Sequence, residues 1–230
     1  MRFTALALLT LTLAAGPAAA GQKETETVDK TVPFTSGGTL RLKNFSGDVR
    51  ITGTSGRDVV IHATRTARRD RLDNIKLDVQ VNGSRIDIDA NKRNPNWDEK
   101  NENVVETVLE LQVPADTRLD LDAFSSDVTV AGTTADIKAH TFSGTINIDV
   151  THAPNYPDIN AETFSGDIKA RLAAGGNGQV DFSTFSGDLR SDLPLTVHGT
   201  SKRNMTAEIG SGGGATLRFK TFSGDVRVVR

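Results

Sequence analysis

Apolar and polar residues alternate along much of the chain, which is the pattern of β-strands that bury one face. The alternation is clear in residues 75–81 and 86–90, where every second residue is Ile, Leu, Val or Ala. A period of two residues predicts half-buried strands. Asn82-Gly83-Ser84 lies between these runs, and Asn-Gly flanked by alternating apolar residues is a strong β-hairpin signal. No segment beyond residue 20 has a helical period, so the pattern predicts an all-β fold.

A pentapeptide with the consensus Thr-Phe-Ser-Gly-Asp is repeated along the chain. Its six copies begin at residues 44, 123, 141, 163, 184 and 221. Consecutive phenylalanines from Phe124 to Phe185 are 18, 22 and 21 residues apart, and Phe222 follows after 37 residues, close to twice that period. An internal repeat of about 20 residues indicates a solenoid of stacked coils. We therefore expect a degenerate coil in the gap, through residues 195–197 and 205–209.

The apolar positions on the two sides of a pentapeptide are out of phase by one residue. Before the copy at residue 141 they are odd-numbered, as in Ile137 and Ala139, and after it they are even-numbered, as in Ile146 and Ile148. Side chains alternate strictly along a strand, so the slip indicates either a corner or a tight hairpin. A two-residue hairpin would place cationic residues directly opposite each other, which is destabilising. We therefore favour an arc that turns a corner.

Stacked arcs predict a single-domain β-solenoid over residues 38–230, with coils of about 20 residues and an N-terminal hairpin region. Because each phenylalanine is in phase with the Val or Ile that follows its pentapeptide, we expect the phenylalanines to form a ladder inside the solenoid. The aspartates are expected to point outward, two residues before a basic residue. The repeat positions that define the coils are Phe45, Gly47, Asp48, Phe124, Asp127, Phe142, Gly144, Phe164, Gly166, Asp167, Phe185, Gly187, Asp188, Phe222, Gly224 and Asp225.

These repeats, of the form [TN]-F-S-G-D-[VIL]-x-[VIA], resemble the bacterial "putative adhesin" family, a domain of unknown function built of β-strand repeats. The strand-like segment Leu109-Glu110-Leu111-Gln112-Val113-Pro114 before the main array is also similar. The resemblance covers most of residues 38–230, and Ser126 and Thr145 depart from the motif. It implies a role at the cell surface or envelope. The family has no established catalytic or ligand residues to carry over.

The first twenty residues have the features of a signal peptide. Arg2 precedes an apolar run over residues 3–13, and Ala18-Ala19-Ala20 fits the small-residue rule for a cleavage site. The run is shorter than the roughly 20 apolar residues of a membrane-spanning helix. The alternative is an N-terminal membrane anchor, but we expect no transmembrane segment in the mature chain. Residues 21–37 begin polar and without periodicity, so we expect a flexible lead-in.

Charge and composition argue against several classes of function. The formal net charge of −2 becomes −3 without residues 1–20, which is too close to neutral to favour nucleic acid or an anionic membrane. The absence of cysteine excludes disulfides and a lipid-modified cysteine. The four histidines are dispersed, and the aspartates lack the nonapeptide period of calcium-binding repeats. We predict no catalytic residue, no cofactor and no metal site.

Two features suggest a contact surface. Arg65, Arg68, Arg69 and Arg71 form a basic patch that could contact a lipid headgroup, an anionic glycan or a partner. The alternative is a solvated loop that is balanced by neighbouring aspartates. Trp97 could stack on a sugar ring, or it could fold back over the edge of the core.

The repeated residues are all explained by folding, which favours a non-enzymatic protein. We predict an exported protein, periplasmic or at the cell surface, that acts as an adhesin-like scaffold or binding module. Its partner would be an envelope protein or a glycan. One alternative is a β-helix enzyme acting on polysaccharide, which needs converging carboxylates in a cleft between residues 65–73 and 91–103. Another is a regulatory partner in envelope stress.

Overall fold

The computed structural model describes residues 9–12, 22–97, 104–199, 201 and 203–230, with only the backbone of 9–12 described. In these residues the chain forms twenty β-strands, which lie in two ten-stranded sheets, and one short helix. The all-β prediction is therefore confirmed. The predicted signal peptide, residues 1–20, lies outside the described residues except for the first strand.

The two sheets, sheet A and sheet B, have the following strands in spatial order. Sheet A contains β1 (Leu9–Thr12), β2 (Lys23–Pro33), β5 (Asp58–Arg68), β8 (Glu106–Pro114), β4 (Val49–Thr54), β10 (Val128–Ala131), β12 (Ile146–Asp149), β14 (Ile168–Arg171), β20 (Val226–Val229) and β16 (Leu189–Ser191). Sheet B contains β17 (Leu195–His198), β18 (Asn204–Ile209), β15 (Gly178–Ser186), β19 (Ala215–Ser223), β13 (Ile159–Ser165), β11 (Ile137–Ser143), β9 (Arg118–Ser125), β3 (Thr39–Ser46), β7 (Arg85–Arg93) and β6 (Ile75–Asn82).

Each pentapeptide carries the chain around a corner from sheet B to sheet A. The copy at residue 141, for example, joins β11 to β12. Strands of neighbouring coils are parallel and in register, so that Ile137 pairs with Leu119 on one side and with Ile159 on the other. The strands that flank a pentapeptide lie in different sheets, which excludes the tight hairpin. The structure therefore confirms the arc and the single-domain β-solenoid.

The order of the coils in space differs from their order in the sequence. The last coil, β19 and β20, lies between the coil of β13 and β14 and the coil of β15 and β16. The expected degenerate coil in the gap is wrong. Its two segments form β17 and β18, which pair antiparallel and extend sheet B beyond β15. These strands cover an open edge of the sheet that would otherwise expose unpaired backbone groups.

The N-terminal region adds antiparallel strands to the solenoid. The predicted hairpin is confirmed as β6 and β7, with Gly83 at φ 62° in the turn. The expected lead-in is wrong, because residues 23–33 form β2, which pairs along its whole length with β5 and buries Val28 and Val32. The helix α1 (Arg69–Asn74) connects β5 to β6. Within the described residues, no helix is long and apolar enough to cross a membrane.

The core lies between the two sheets and is made mainly of small and medium aliphatic side chains, together with Tyr156, Phe182 and Phe219. At the corner, the first residue of the pentapeptide also points inward. Thr163 is 4% exposed, and its hydroxyl donates a hydrogen bond to the Gly144 carbonyl of the next coil at 3.1 Å. Thr221 makes the equivalent bond to Gly166 at 3.2 Å. These two buried hydroxyls are thereby satisfied, as most buried polar groups are, whereas the buried hydroxyl of Thr184 has no partner among the described residues.

The phenylalanines of the pentapeptide lie on the outside, so the expected internal ladder is wrong. Their exposed fractions are between 42% and 57%. The strand that enters the corner continues through the phenylalanine and the following serine, as β13 does up to Ser165. The phenylalanine therefore keeps the phase of the preceding outward residues, such as Glu162, and not that of the next strand. The true core phenylalanines are Phe182 and Phe219, which lie in phase with the inward residues.

The glycine of the pentapeptide allows adjacent corners to touch through their backbones. Gly166 has φ 146°, and a Cβ at this position would lie 2.2 Å from the carbonyl oxygen of Gly144. Its amide donates a hydrogen bond to the Ser223 carbonyl of the coil on the other side, at 3.0 Å. The corner therefore has no room for a side chain at this position, and its backbone hydrogen bonds continue from coil to coil.

The aspartates mostly bind backbone amides of the neighbouring coil. The Asp225 amide donates to the Asp167 carboxylate at 2.8 Å, and the Asp188 amide donates to the Asp225 carboxylate at 3.0 Å. The expected pairing with a basic residue two positions later is formed by Asp48 and Arg50, at 2.6 Å. In the described part of the chain, Lys169, Arg190 and Arg227 form no such ion pair. The aspartate therefore contributes mainly to holding the corners in register.

The position of the two kinds of phenylalanine predicts unequal costs of truncation. Phe219→Ala removes a fully buried side chain and should reduce the free energy of unfolding by about 3–5 kcal/mol. Phe164→Ala removes a half-exposed ring and should cost about 1–2 kcal/mol, mainly through lost stacking. Urea denaturation of the two variants measures the difference. Equal losses would contradict the outward position of the ladder.

The close approach at the corner predicts a large effect of a single methyl group. Gly166→Ala should destabilise the fold by at least about 2 kcal/mol, because the backbone is strained and the Cβ collides with a carbonyl. Gly83→Ala is a matched control, since Gly83 also has a positive φ but has no atom within 4 Å of its Cβ position. We expect the control to cost about 1 kcal/mol. A smaller loss for Gly166→Ala than for Gly83→Ala would show that the corners do not touch.

Candidate interaction surface

The outer face of sheet B carries three rows of side chains that run across six coils. In each strand, residues two and four positions before the phenylalanine point outward with it, and the pairing places equivalent residues side by side. The aromatic row is Phe45, Phe124, Phe142, Phe164, Phe222 and Phe185. The middle row is Lys43, Asp122, His140, Glu162, Lys220 and Ser183. The third row is Arg41, Asp120, Lys138, Asn160, Arg218 and Asp181.

The aromatic row is a continuous stack of rings. Neighbouring ring centroids are 4.7–5.0 Å apart, and the planes are within 15° of parallel. At one end, the Arg203 guanidinium lies 5.0 Å from the centroid of Phe185. The faces of the inner rings are covered by their neighbours, so a sugar or a base cannot stack on them. The row instead exposes ring edges, which form a ribbed apolar surface bordered by polar residues, as interaction sites are.

The two other rows hold charges of alternating sign. Asp120 lies between two cations, 3.4 Å from Arg41 and 3.5 Å from Lys138. In the middle row, the His140 ring is 3.2 Å from Asp122, and Lys220 is 3.7 Å from Glu162. All these side chains are partly exposed to water. The rows therefore form a regular pattern of charge with almost no net charge.

Two shallow grooves run along this face. One, of about 480 Å³, lies over the charged rows, and the other, of about 470 Å³, lies between the middle row and the aromatic row. His140 and Glu162 line both grooves, so the two are continuous. Asp120 and Glu162 in these grooves lie beside cations and are partly exposed to solvent. The geometry suits the binding of a complementary surface.

The comparison with family models matches residues 112–229, just over half of the chain, to the Toastrack DUF4097 family. The chain belongs to the Toastrack family. The matched segment includes five of the six pentapeptides and extends from the end of β8 to β20. No curated protein matches the sequence.

The Toastrack chain also has the fold of a solved structure. It is similar to a "putative cell adhesion protein" from Clostridium sporogenes, with a TM-score of 0.65 at 11% identity over 91% of this chain and 99% of that chain. A "putative adhesin" from Bacteroides fragilis aligns at 10% identity over 88% of this chain and 96% of that chain, with a TM-score of only 0.31. The family match and the shared fold confirm the resemblance to the "putative adhesin" family.

The basic patch of the Toastrack chain is only partly exposed, because one of its four arginines is buried. Arg65 is 2% exposed, and it donates hydrogen bonds to the Glu26 carboxylate and the Ile75 carbonyl. Burial lowers the pKa of the Arg65 guanidinium, and the nearby Glu26 carboxylate opposes this shift. Its assignment to a contact surface is therefore wrong. The residue ties β2 to β5 and to the start of β6, and such tertiary pairing is invisible in a local run of arginines.

The other arginines of the patch are near aspartates. Arg68 is 2.6 Å from Asp70, and Arg69 is 3.0 Å from Asp73. The Arg68 guanidinium lowers the pKa of Asp70 through a hydrogen bond. A contact role for Arg68, Arg69 and Arg71 stays a prediction, but the local charge is largely balanced.

Trp97 packs on a small second cluster of apolar side chains at the N-terminal end of the Toastrack fold. The cluster contains Ala67, Leu72, Ile75 and Val105. The tryptophan therefore covers an edge of the core, as one of its two interpretations expected. Residues 98–103 of the same loop lie outside the described part of the chain.

The charged rows beside the phenylalanines were not identified from the sequence. Their signal is present, because aligning the six pentapeptides on the phenylalanine shows a polar residue two and four positions earlier in every copy. The assumption that the phenylalanines point inward concealed this signal, since it placed the outward residues of the strand on the wrong face.

The buried ion pair predicts that two arginines of one patch have different roles. Arg65→Ala leaves the Glu26 carboxylate buried without its partner, and it should cost about 3–5 kcal/mol of stability. Arg69→Ala, in the same patch but at the surface, should leave the unfolding midpoint nearly unchanged. Urea denaturation followed by circular dichroism tests both variants. An unfolding midpoint for Arg65→Ala equal to that of the parent chain would contradict a stabilising role for the buried pair of Arg65 and Glu26.

Proposed function

We propose that this protein is exported to the cell envelope, where it acts without enzymatic activity as an adhesin-like binding scaffold. The binding face is the outer face of sheet B. The observation that carries this proposal is the row of six half-exposed phenylalanines, which lies in register beside two rows of alternating charge. Six half-exposed aromatic rings in one line leave apolar surface in contact with water. A partner that covers the rings removes this surface from water, which is favourable for binding.

The relatives support a binding role. The structure from Clostridium sporogenes that shares the fold is described as a putative cell adhesion protein. A solenoid suits such a role, because its stacked coils present long regular surfaces to a partner. The features of residues 1–20 as a signal peptide support export.

The polysaccharide-cleaving alternative is less well supported. Its required cleft would lie between residues 65–73 and residues 91–103, of which the structure describes 91–97. These segments do meet, because Trp97 packs on the cluster that contains Ala67 and Leu72, but this contact is apolar. Among the described residues, no group of three potential metal ligands is present. No specific contact favours the envelope-stress alternative.

The proposal predicts that ring edges at the centre of the face are needed for binding. The double variant Phe142→Ser with Phe164→Ser should capture at least about tenfold less material from an envelope extract or a glycan array, as loss of central aromatic anchors does at interfaces. Lys169→Asp, on the outer face of sheet A, is the control and should bind like the parent chain.

Cell fractionation of the full-length chain is a separate experiment that tests export. We expect a mature form that lacks residues 1–20 and is found outside the cytoplasm. Undiminished capture by the folded double variant would show that this face is not the binding face, and an uncleaved chain confined to the cytoplasm would contradict an envelope role.

A further inference from the structure

The outer face of sheet B is complementary to itself under one particular symmetry operation. From β3 to β15, the third row reads Arg41, Asp120, Lys138, Asn160, Arg218 and Asp181. Reversing this order sets every charge against an opposite charge or a neutral side chain. The same reversal holds for the middle row. Charges that alternate along an even number of coils reverse in this way, so the face is complementary to a reversed copy of itself as well as balanced within one chain.

The operation is a twofold axis parallel to the strands, which passes between β11 and β13. It keeps each row above the same row of the second copy and reverses the order of the coils. In the third row, Arg41 faces Asp181 of the second copy, and Asp120 faces Arg218 of the second copy. Lys138 faces the neutral Asn160. No like charges oppose each other in this row.

The middle row obeys the same rule. Asp122 faces Lys220 of the second copy, and His140 faces Glu162. Lys43 faces the neutral Ser183. In the aromatic row, each ring faces another ring, with Phe142 opposite Phe164 at the centre. The apolar row is therefore covered by an apolar row along its whole length.

The other twofold axis that brings these faces together is less favourable. An axis along the stacking direction would place the aromatic row over the third row, so that phenyl edges would cover Arg41 and Asp120 and bury charge against an apolar surface. Only the axis parallel to the strands matches both the charges and the rings. Both axes align the strands of the two copies, which is the common geometry of packed sheets, so the charges and the rings decide between the axes.

We infer that the partner of this face is a second copy of the same chain, bound face to face about this axis. The inference rests on the proposed use of the outer face of sheet B for binding and names its occupant. Six strands spaced about 4.8 Å apart and three outward positions spaced about 6.8 Å apart span about 29 by 20 Å. Two such faces bury about 1,200 Å², the lower end of specific interfaces, so a reversible dimer is expected.

Charge reversal at one pair provides the sharpest test. Asp122 and Lys220 are suitable because each has one close ionisable neighbour within the chain, His140 and Glu162 respectively. Asp122→Lys alone sets two lysines against each other at both symmetric contacts, and Lys220→Asp alone sets two aspartates against each other. Each single variant should weaken self-association by roughly 100-fold, since like charges across an interface are strongly unfavourable.

Mixing the two single variants should restore the dimer. In the mixed dimer, Lys at position 122 of one chain faces Asp at position 220 of the other, and the second contact keeps the original Asp122 and Lys220. Analytical ultracentrifugation of each variant alone and of the equimolar mixture, with circular dichroism to confirm folding, measures this directly. Lys169→Asp, on the opposite face, is the control and should dimerise like the parent chain.

The outcomes separate this inference from the proposed function. A dimer that is lost in both single variants and recovered in the mixture supports the twofold pairing. A parent chain that stays monomeric at the highest soluble concentration would overturn it, and so would single variants that dimerise normally or a mixture that does not recover. A monomer that still captures envelope material through Phe142 and Phe164 would overturn the second copy as partner but leave the proposed function intact. A dimer that captures no envelope material would support the second copy as partner but contradict the proposed function.

Discussion

Direct contact between the backbones of adjacent corners sets the geometry of the whole solenoid. Five of the six pentapeptides have a glycine at the corner, and Gly166 lies so close to the next corner that no Cβ fits between it and Gly144. The threonine hydroxyl inside the corner and the aspartate carboxylate outside it then bind backbone groups of the neighbouring coil. These contacts are local and repeated, so they fix the register of each coil against the next. The threonine takes the inward position at the corner, and the phenylalanine that follows it in the same strand therefore lies outside.

Register in the corners converts a repeated sequence into rows on the surface. Equivalent residues of neighbouring coils lie side by side, at the spacing of strands in a sheet. Identical aromatic residues tolerate this arrangement because their rings stack. Identical charges do not, and the chain places Lys43, Asp122 and His140 in successive coils of one row, with changing charge. The aromatic row can therefore be uniform, whereas the charged rows must vary, because equivalent residues of neighbouring coils lie side by side.

The ends of the solenoid are finished by antiparallel strands that do not belong to the repeat. At one end of sheet A, β5 and β2 extend the sheet, and the buried pair of Arg65 and Glu26 ties them together. At the opposite end of sheet B, β18 and β17 cover β15. The coil of β19 and β20 enters between two coils that precede it in the sequence. Open parallel edges invite pairing with other chains, and these additions shorten or cover them.

Local patterns in the sequence were sufficient to predict the all-β class, the hairpin at Asn82-Gly83-Ser84, the coil period and an arc in place of a tight turn. Each of these follows from alternation, turn chemistry or like-charge repulsion between residues close in the chain. The outward position of Phe164, the burial of Arg65, the strand β2 and the insertion of the last coil between earlier ones became visible only in the folded chain. These outcomes depend on which groups arrive from distant parts of the chain. The local sequence does not decide whether a phenylalanine at a corner points inward or outward. Packing against the neighbouring coil decides it.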